Sequence, residues 1–93
     1  MTTFVTSRTA TGLQHRDFAA RGPFNLIVAN ILARPLMRLA PQMAHHVAPG
    51  GSLILSGILD RQRRAVLAAY SGARFRHVLT LVREGWVTLH LKR

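Results

Sequence analysis

Residues 24–36 read Phe24-Asn25-Leu26-Ile27-Val28-Ala29-Asn30-Ile31-Leu32-Ala33-Arg34-Pro35-Leu36, an apolar run that reaches an asparagine and passes directly into a helix start. A strand covered on both faces has this near-continuous branched apolar character, and a polar residue at its carboxyl end lies where open α/β sheets hold ligands. A strand is therefore predicted over Phe24–Asn30, with Asn30 as the first candidate site residue.

Downstream of this strand, Pro35 suits the first turn of a helix, where a missing N–H leaves no bond unmade, and Leu32, Leu36, Leu39, Met43 and Val47 keep a three-to-four-residue spacing. Pro41 interrupts that pattern by removing a backbone donor and crowding the preceding turn, so a kink or two short helices are expected. Pro49-Gly50-Gly51 should then turn the chain into a second short strand, Ser52–Ser56. Asp60 is the expected N-cap of a helix with a stripe of Gln62, Val66, Leu67 and Tyr70, and Gly72 is its expected stop. Phe75–Val82 and Trp86–Leu91 are β-rich and flank Arg83-Glu84-Gly85, which fits a hairpin with glycine at a positive φ. Upstream, Phe4–Thr11 is a polar strand candidate, and Gln14–Pro23 reads as a connection with one short helical turn.

The Asn30-Ile31-Leu32-Ala33 and Leu55-Ser56-Gly57-Ile58-Leu59 blocks, together with Pro49-Gly50-Gly51 and Gln62, resemble the ribosomal protein methyltransferase family that modifies the stalk-base protein (large-subunit protein eleven) of the bacterial ribosome. The similarity runs from about Thr11 to Arg93. It departs at Asn25, where the family usually has an aspartate, at the strand start away from the cleft. The resemblance implies an α/β fold: part of a Rossmann-like class I methyltransferase sheet with a carboxyl-terminal antiparallel hairpin, the final strand inserted beside the fifth. It also implies S-adenosyl-L-methionine as cofactor and a ribosomal protein as substrate, methylated on lysine side chains and its amino-terminal amine. The family's glycine-rich cofactor loop has no counterpart here, because the seven glycines show no G-x-G spacing. The chain is thus expected to be the later part of a catalytic domain, inactive by itself, with residues 1–23 a remnant strand and connection and residues 24–93 the carboxyl-terminal part of the methyltransferase domain.

By the same resemblance, Asn30 takes the catalytic role of orienting the incoming amine and also borders the cofactor, while Thr11, Gly12 and Leu13 lie near its adenine. Ile31, Leu32, Ser56 and Gly57 are expected to line the substrate cleft, with Ala33 beside them. The residues themselves agree with that chemistry. A carboxamide offers an acceptor and two donors, and methyl transfer from a sulfonium needs alignment of a deprotonated amine more than acid–base help. The competing reading of Asn30 is a plain cap for the following helix. Ser56 lacks a G-x-S-x-G setting and a His–acid pair, which argues against a hydrolase nucleophile and for local hydrogen bonding.

Ninety-three residues, 48% of them apolar, allow one small domain. The lack of cysteine excludes disulfides and cysteine zinc sites, and no metal site is expected. His45-His46 are neighbours pointing in different directions, and no His or carboxylate stands four residues away. No apolar run is long enough to cross a bilayer as a helix and no secretory signal is visible, so a cytoplasmic protein without membrane contact is expected. The formal charge of +10 comes from twelve arginines and Lys92 against Asp17, Asp60 and Glu84. That balance favours an anionic partner, and weak RNA contact through the basic surface is an expected accessory. It also supports a rival function, a small basic RNA- or ribosome-binding module on a methyltransferase-derived scaffold. Finally, in the family's architecture two strands separate Phe4–Thr11 from Phe24–Asn30. The first segment should therefore lack a native neighbour, and the edge of Phe24–Asn30 should either pair with a second copy or be covered by a rearranged amino-terminal strand.

Overall fold

The computed structural model describes the backbone of Thr3–Thr6 and residues 23–93. Five strands form one sheet in the order β1-β2-β3-β5-β4, where β1 is Thr3–Thr6, β2 Phe24–Asn30, β3 Val47–Leu59, β4 Arg76–Arg83 and β5 Trp86–Lys92. β1, β2 and β3 run parallel, whereas β5 is antiparallel to both of its neighbours. The inserted last strand is the arrangement expected of a methyltransferase sheet.

Between β2 and β3 the chain forms α1 (Ala33–Arg38) and α2 (Ala40–His46). Their junction is Leu39, and Pro41 occupies the first turn of α2, so the proline splits the helix as its missing N–H requires. After β3, a 3-10 turn over Asp60–Gln62 leads into α3 (Arg63–Gly72). The three helices lie together on one face of the sheet, and Leu36, Met43, Val66 and Tyr70 close over Ile27, Leu53, Leu55, Ile58, Leu89 and Leu91 in a single buried cluster. These strand residues alternate along β3 and β5, which explains why their neighbours Ser52, Ile54 and His90 point to the other face.

Several local expectations are corrected. Pairing with β2 begins at Val47, not Ser52: Phe24 faces Val47 and Leu26 faces Ser52, so Ala48 to Gly51 are accommodated as an irregularity inside β3. Asp60 makes no capping hydrogen bond; instead Gln62 Oε1 accepts the Leu59 N–H at 2.9 Å, and Asp60 forms an exposed ion pair with Arg63 at 3.4 Å. Gly72 is the last residue of α3, as expected, but it does not take the left-handed conformation. Arg74, two residues beyond, takes it at φ 71°, with the Arg74 N–H donating to Ser71 O and the Phe75 N–H donating back to Tyr70 O. The Phe75 and Tyr70 rings lie 5.6 Å apart, supplying the apolar contact that accompanies this type of helix end.

The amino-terminal segment also differs from expectation. Thr3–Thr6 pairs in parallel with Leu26 to Ala29, so the outer edge of β2 is covered by β1. The rearranged strand is therefore what the structure shows, and a homodimer through that edge loses its premise. Thr11, Gly12 and Leu13 lie outside the described residues.

Candidate functional site

The carboxyl ends of β2 and β3 stand side by side, with Asn30 directly opposite Ser56. One residue later Gly57 adopts φ +82°, and there the pairing with β5 slips: Leu55 faces Leu89 but Ile58 faces Val87. Ser56 and Gly57 thus bulge opposite Thr88, a distortion that redirects side chains at the end of a strand. The bulge opens a groove of about 410 Å³ at this end of the sheet.

Five expected residues line that groove: Asn30, Ile31, Leu32, Ser56 and Gly57. Ala33 does not, since it is buried in α1 as part of the core. The Asn30 side chain is exposed and its Oδ1 stands 2.6 Å from where a Cβ on Gly57 would lie. Contact that close is unknown for real Cβ atoms, so the carboxamide holds its place only because residue 57 has no side chain. Ser56 Oγ makes a long contact of 3.5 Å with Ala29 O, in keeping with a local role. None of the groove residues forms a nucleophile–base pair, and none is acidic or a histidine.

Trp86, Val87 and Thr88 complete the lining and were missed from sequence. Trp86 is 52% exposed at the groove's rim, facing Leu59 across the β3–β5 pair. Their signal was present in two separate observations. The turn at Glu84-Gly85 starts β5 at Trp86, and insertion of β5 beside β3 carries that start to the site.

The polar side chains among the described lining residues are Asn30, Ser56 and Thr88, with the indole N–H of Trp86, and they suit an amine or a small polar head. No carboxylate that could meet the hydroxyls of a ribose occurs among the described residues of the lining. Away from the groove, His46 Nδ1 lies 2.8 Å from Gln42 O, and no cluster of metal-binding side chains occurs among the described residues. No helix among the described residues is long and apolar enough to cross a membrane.

The family model for "Ribosomal protein L11 methyltransferase (PrmA)" matches residues 5–93. The chain belongs to the ribosomal protein L11 methyltransferase family. The Mesorhizobium japonicum protein named ribosomal protein L11 methyltransferase is 71% identical over 84 residues, which cover 90% of this chain and 29% of that protein. Its namesake from Rhizobium etli is 63% identical over 89 residues, 96% of this chain and 30% of the relative. The chain therefore spans about 30% of the length of these relatives. Among solved structures, the ribosomal protein L11 methylase of Lactobacillus delbrueckii subsp. bulgaricus superposes with a TM-score of 0.78 at 34% identity, covering 90% of this chain and 42% of that one. The resemblance read from the Asn30 and Ser56 blocks and the methyltransferase fold are both upheld.

Proposed function

We propose that this chain forms the amine-accepting side of the cleft of an S-adenosyl-L-methionine-dependent protein methyltransferase, acting in the cytoplasm on lysine and amino-terminal amines of a ribosomal protein. The observation that carries the reading is the Asn30 carboxamide at the mouth of a groove, in space that a side chain at residue 57 would fill. S-adenosyl-L-methionine, when bound, supplies an electrophilic methyl group. Asn30 Oδ1 accepts a hydrogen bond from the incoming neutral amine and aims its lone pair, while Leu32 and Trp86 flank the amine's aliphatic stem. With no carboxylate, histidine, lysine or arginine among the described lining residues, alignment is the groove's contribution, and the surplus proton leaves to water through the open mouth.

In this reading residues 1–23 are a remnant strand and connection and residues 24–93 the carboxyl-terminal part of the methyltransferase domain. The 93-residue polypeptide by itself is inactive and binds the cofactor weakly, since it lacks the glycine-rich loop and the described lining residues offer no carboxylate to the ribose; Thr11, Gly12 and Leu13 are proposed to border the adenine in the assembled cleft. The basic surface adds a weak RNA contact. Calorimetry at millimolar cofactor checks this, and tight stoichiometric binding by the isolated polypeptide would overturn it. The function itself is tested by replacing the matching part of the Mesorhizobium japonicum relative with this chain and following methyl transfer to its ribosomal protein substrate.

A further inference from the structure

The outer edge of β4 is unlike the other edge of the sheet. β4 is the last strand in the order, so nothing described pairs with its far side. Edge strands are commonly blunted by charges, prolines or shortness, yet β4 runs for eight residues and leaves Val78, Leu79, Leu81 and Val82 between 43% and 58% exposed.

The register arranges these residues in a pattern. Arg76 faces Lys92, Leu79 faces His90, Leu81 faces Thr88 and Arg83 faces Trp86, with the pairing slipping at Val78. Lys92, His90, Thr88 and Trp86 alternate along β5 and share one face, so along β4 the same face reads basic, apolar, apolar, basic. We propose that this edge captures an extended segment of another protein as an added strand, one that carries acidic residues at its first and seventh positions and apolar residues at its third and fifth.

Main-chain hydrogen bonds to an open edge provide the attachment in such pairing, and alternate side chains provide selectivity. The end cations of β4 select the charge: carboxylates opposite Arg76 and Arg83 are stabilising, and Lys92 beside Arg76 strengthens that end. A second copy of this chain is a poor occupant. Antiparallel self-pairing sets Arg76 against Arg83, parallel pairing sets each against itself, and a chain of net charge +10 repels its twin. An added strand lies four strand spacings from β2, about 19 Å at roughly 4.8 Å each. That exceeds the reach of a side chain to Asn30, so the docked segment is an anchor and not the reacting segment; the proposal stands independently of the methyl-transfer reading.

The test uses two acetylated, amidated peptides with the full 93-residue chain: Asp-Thr-Val-Thr-Val-Thr-Asp, and the same sequence with lysine at both ends. Affinity is measured by the concentration dependence of amide chemical shifts in NMR at low salt, and the docking strand by amide-exchange protection. The acidic peptide should bind at least tenfold more tightly than the basic one and protect β4 amides, with the preference inverted in the exposed double variant R76E/R83E. Equal binding of the two peptides, a preference unaltered in R76E/R83E, protection elsewhere than β4, or dimerisation of the chain through β4 in light scattering would each overturn the proposal.

Discussion

Substituting Gly57→Ala tests the groove's geometry, and Gly50→Ala provides its control. Both glycines have left-handed backbones, at φ +82° and +77°, so an alanine at either meets the same backbone penalty of about 1–2 kcal/mol. Reduced freedom of the unfolded chain offsets roughly 0.4–1 kcal/mol of it, leaving a net loss of about 1 kcal/mol, or about 4–8 °C in Tm for a domain of this size. The two sites differ in what the new methyl meets. At Gly50 nothing lies within 4 Å, whereas at Gly57 the methyl would fall 2.6 Å from Asn30 Oδ1. Carbon and oxygen at that distance repel, so the carboxamide must rotate away, at a further cost of up to about 1.5 kcal/mol if it leaves its rotamer well. Thermal unfolding gives the stability difference, and the Asn30 side-chain NH₂ resonances report the displacement. Gly57→Ala should shift those resonances and unfold at or below the Tm of Gly50→Ala. Unmoved Asn30 resonances in a folded Gly57→Ala protein would refute the claim that the carboxamide occupies space left open by the missing side chain at residue 57.

Two further substitutions test the packing that supports the groove. Arg74→Gly should raise stability by about 0.5–1 kcal/mol in urea unfolding, because this residue just beyond α3 sits at φ 71° where glycine is unstrained; an unchanged or lower midpoint would contradict this. Tyr70→Phe should destabilise by about 1–2 kcal/mol in the same assay, since the buried phenol donates to Leu36 O at 2.7 Å at the end of α1. Burial also holds that phenol well above its ordinary ionisation range, so the loss should be constant from neutral to moderately alkaline pH.

Much of this architecture is legible in the sequence because its causes are local. The branched run of β2, the proline that splits α1 from α2, and Glu84-Gly85 at φ 53° and 82° each act through neighbouring residues. Features set by distant partners were less legible. Strand β3 starts at Val47 because β2 offers it Phe24, and no pattern within Ala48 to Gly51 announces that pairing. The cap at Leu59 depends on where Gln62 folds back, which outcompetes the better intrinsic capper Asp60. At the site, Asn30 and Ser56 were readable as strand ends, but the bulge joining Gly57 to Thr88 comes from a register slip between strands almost thirty residues apart, visible only once both are placed. The positive φ at Arg74 is set by the Schellman bonds and the Tyr70–Phe75 contact, overriding the glycine two residues earlier.

Whether this chain supplies the amine-aligning side of a methyltransferase cleft through Asn30 can be measured in the Mesorhizobium japonicum relative carrying this chain in place of its matching part. Methyl transfer from labelled S-adenosyl-L-methionine to ribosomal protein L11 is followed with and without Asn30→Ala, alongside cofactor affinity. The chimaera should transfer methyl groups, and its Asn30→Ala form should lose about 10²-fold in turnover with cofactor affinity nearly unchanged, as loss of alignment requires. A chimaera that folds and binds the cofactor but transfers nothing, or an Asn30→Ala form with undiminished turnover, would contradict that role.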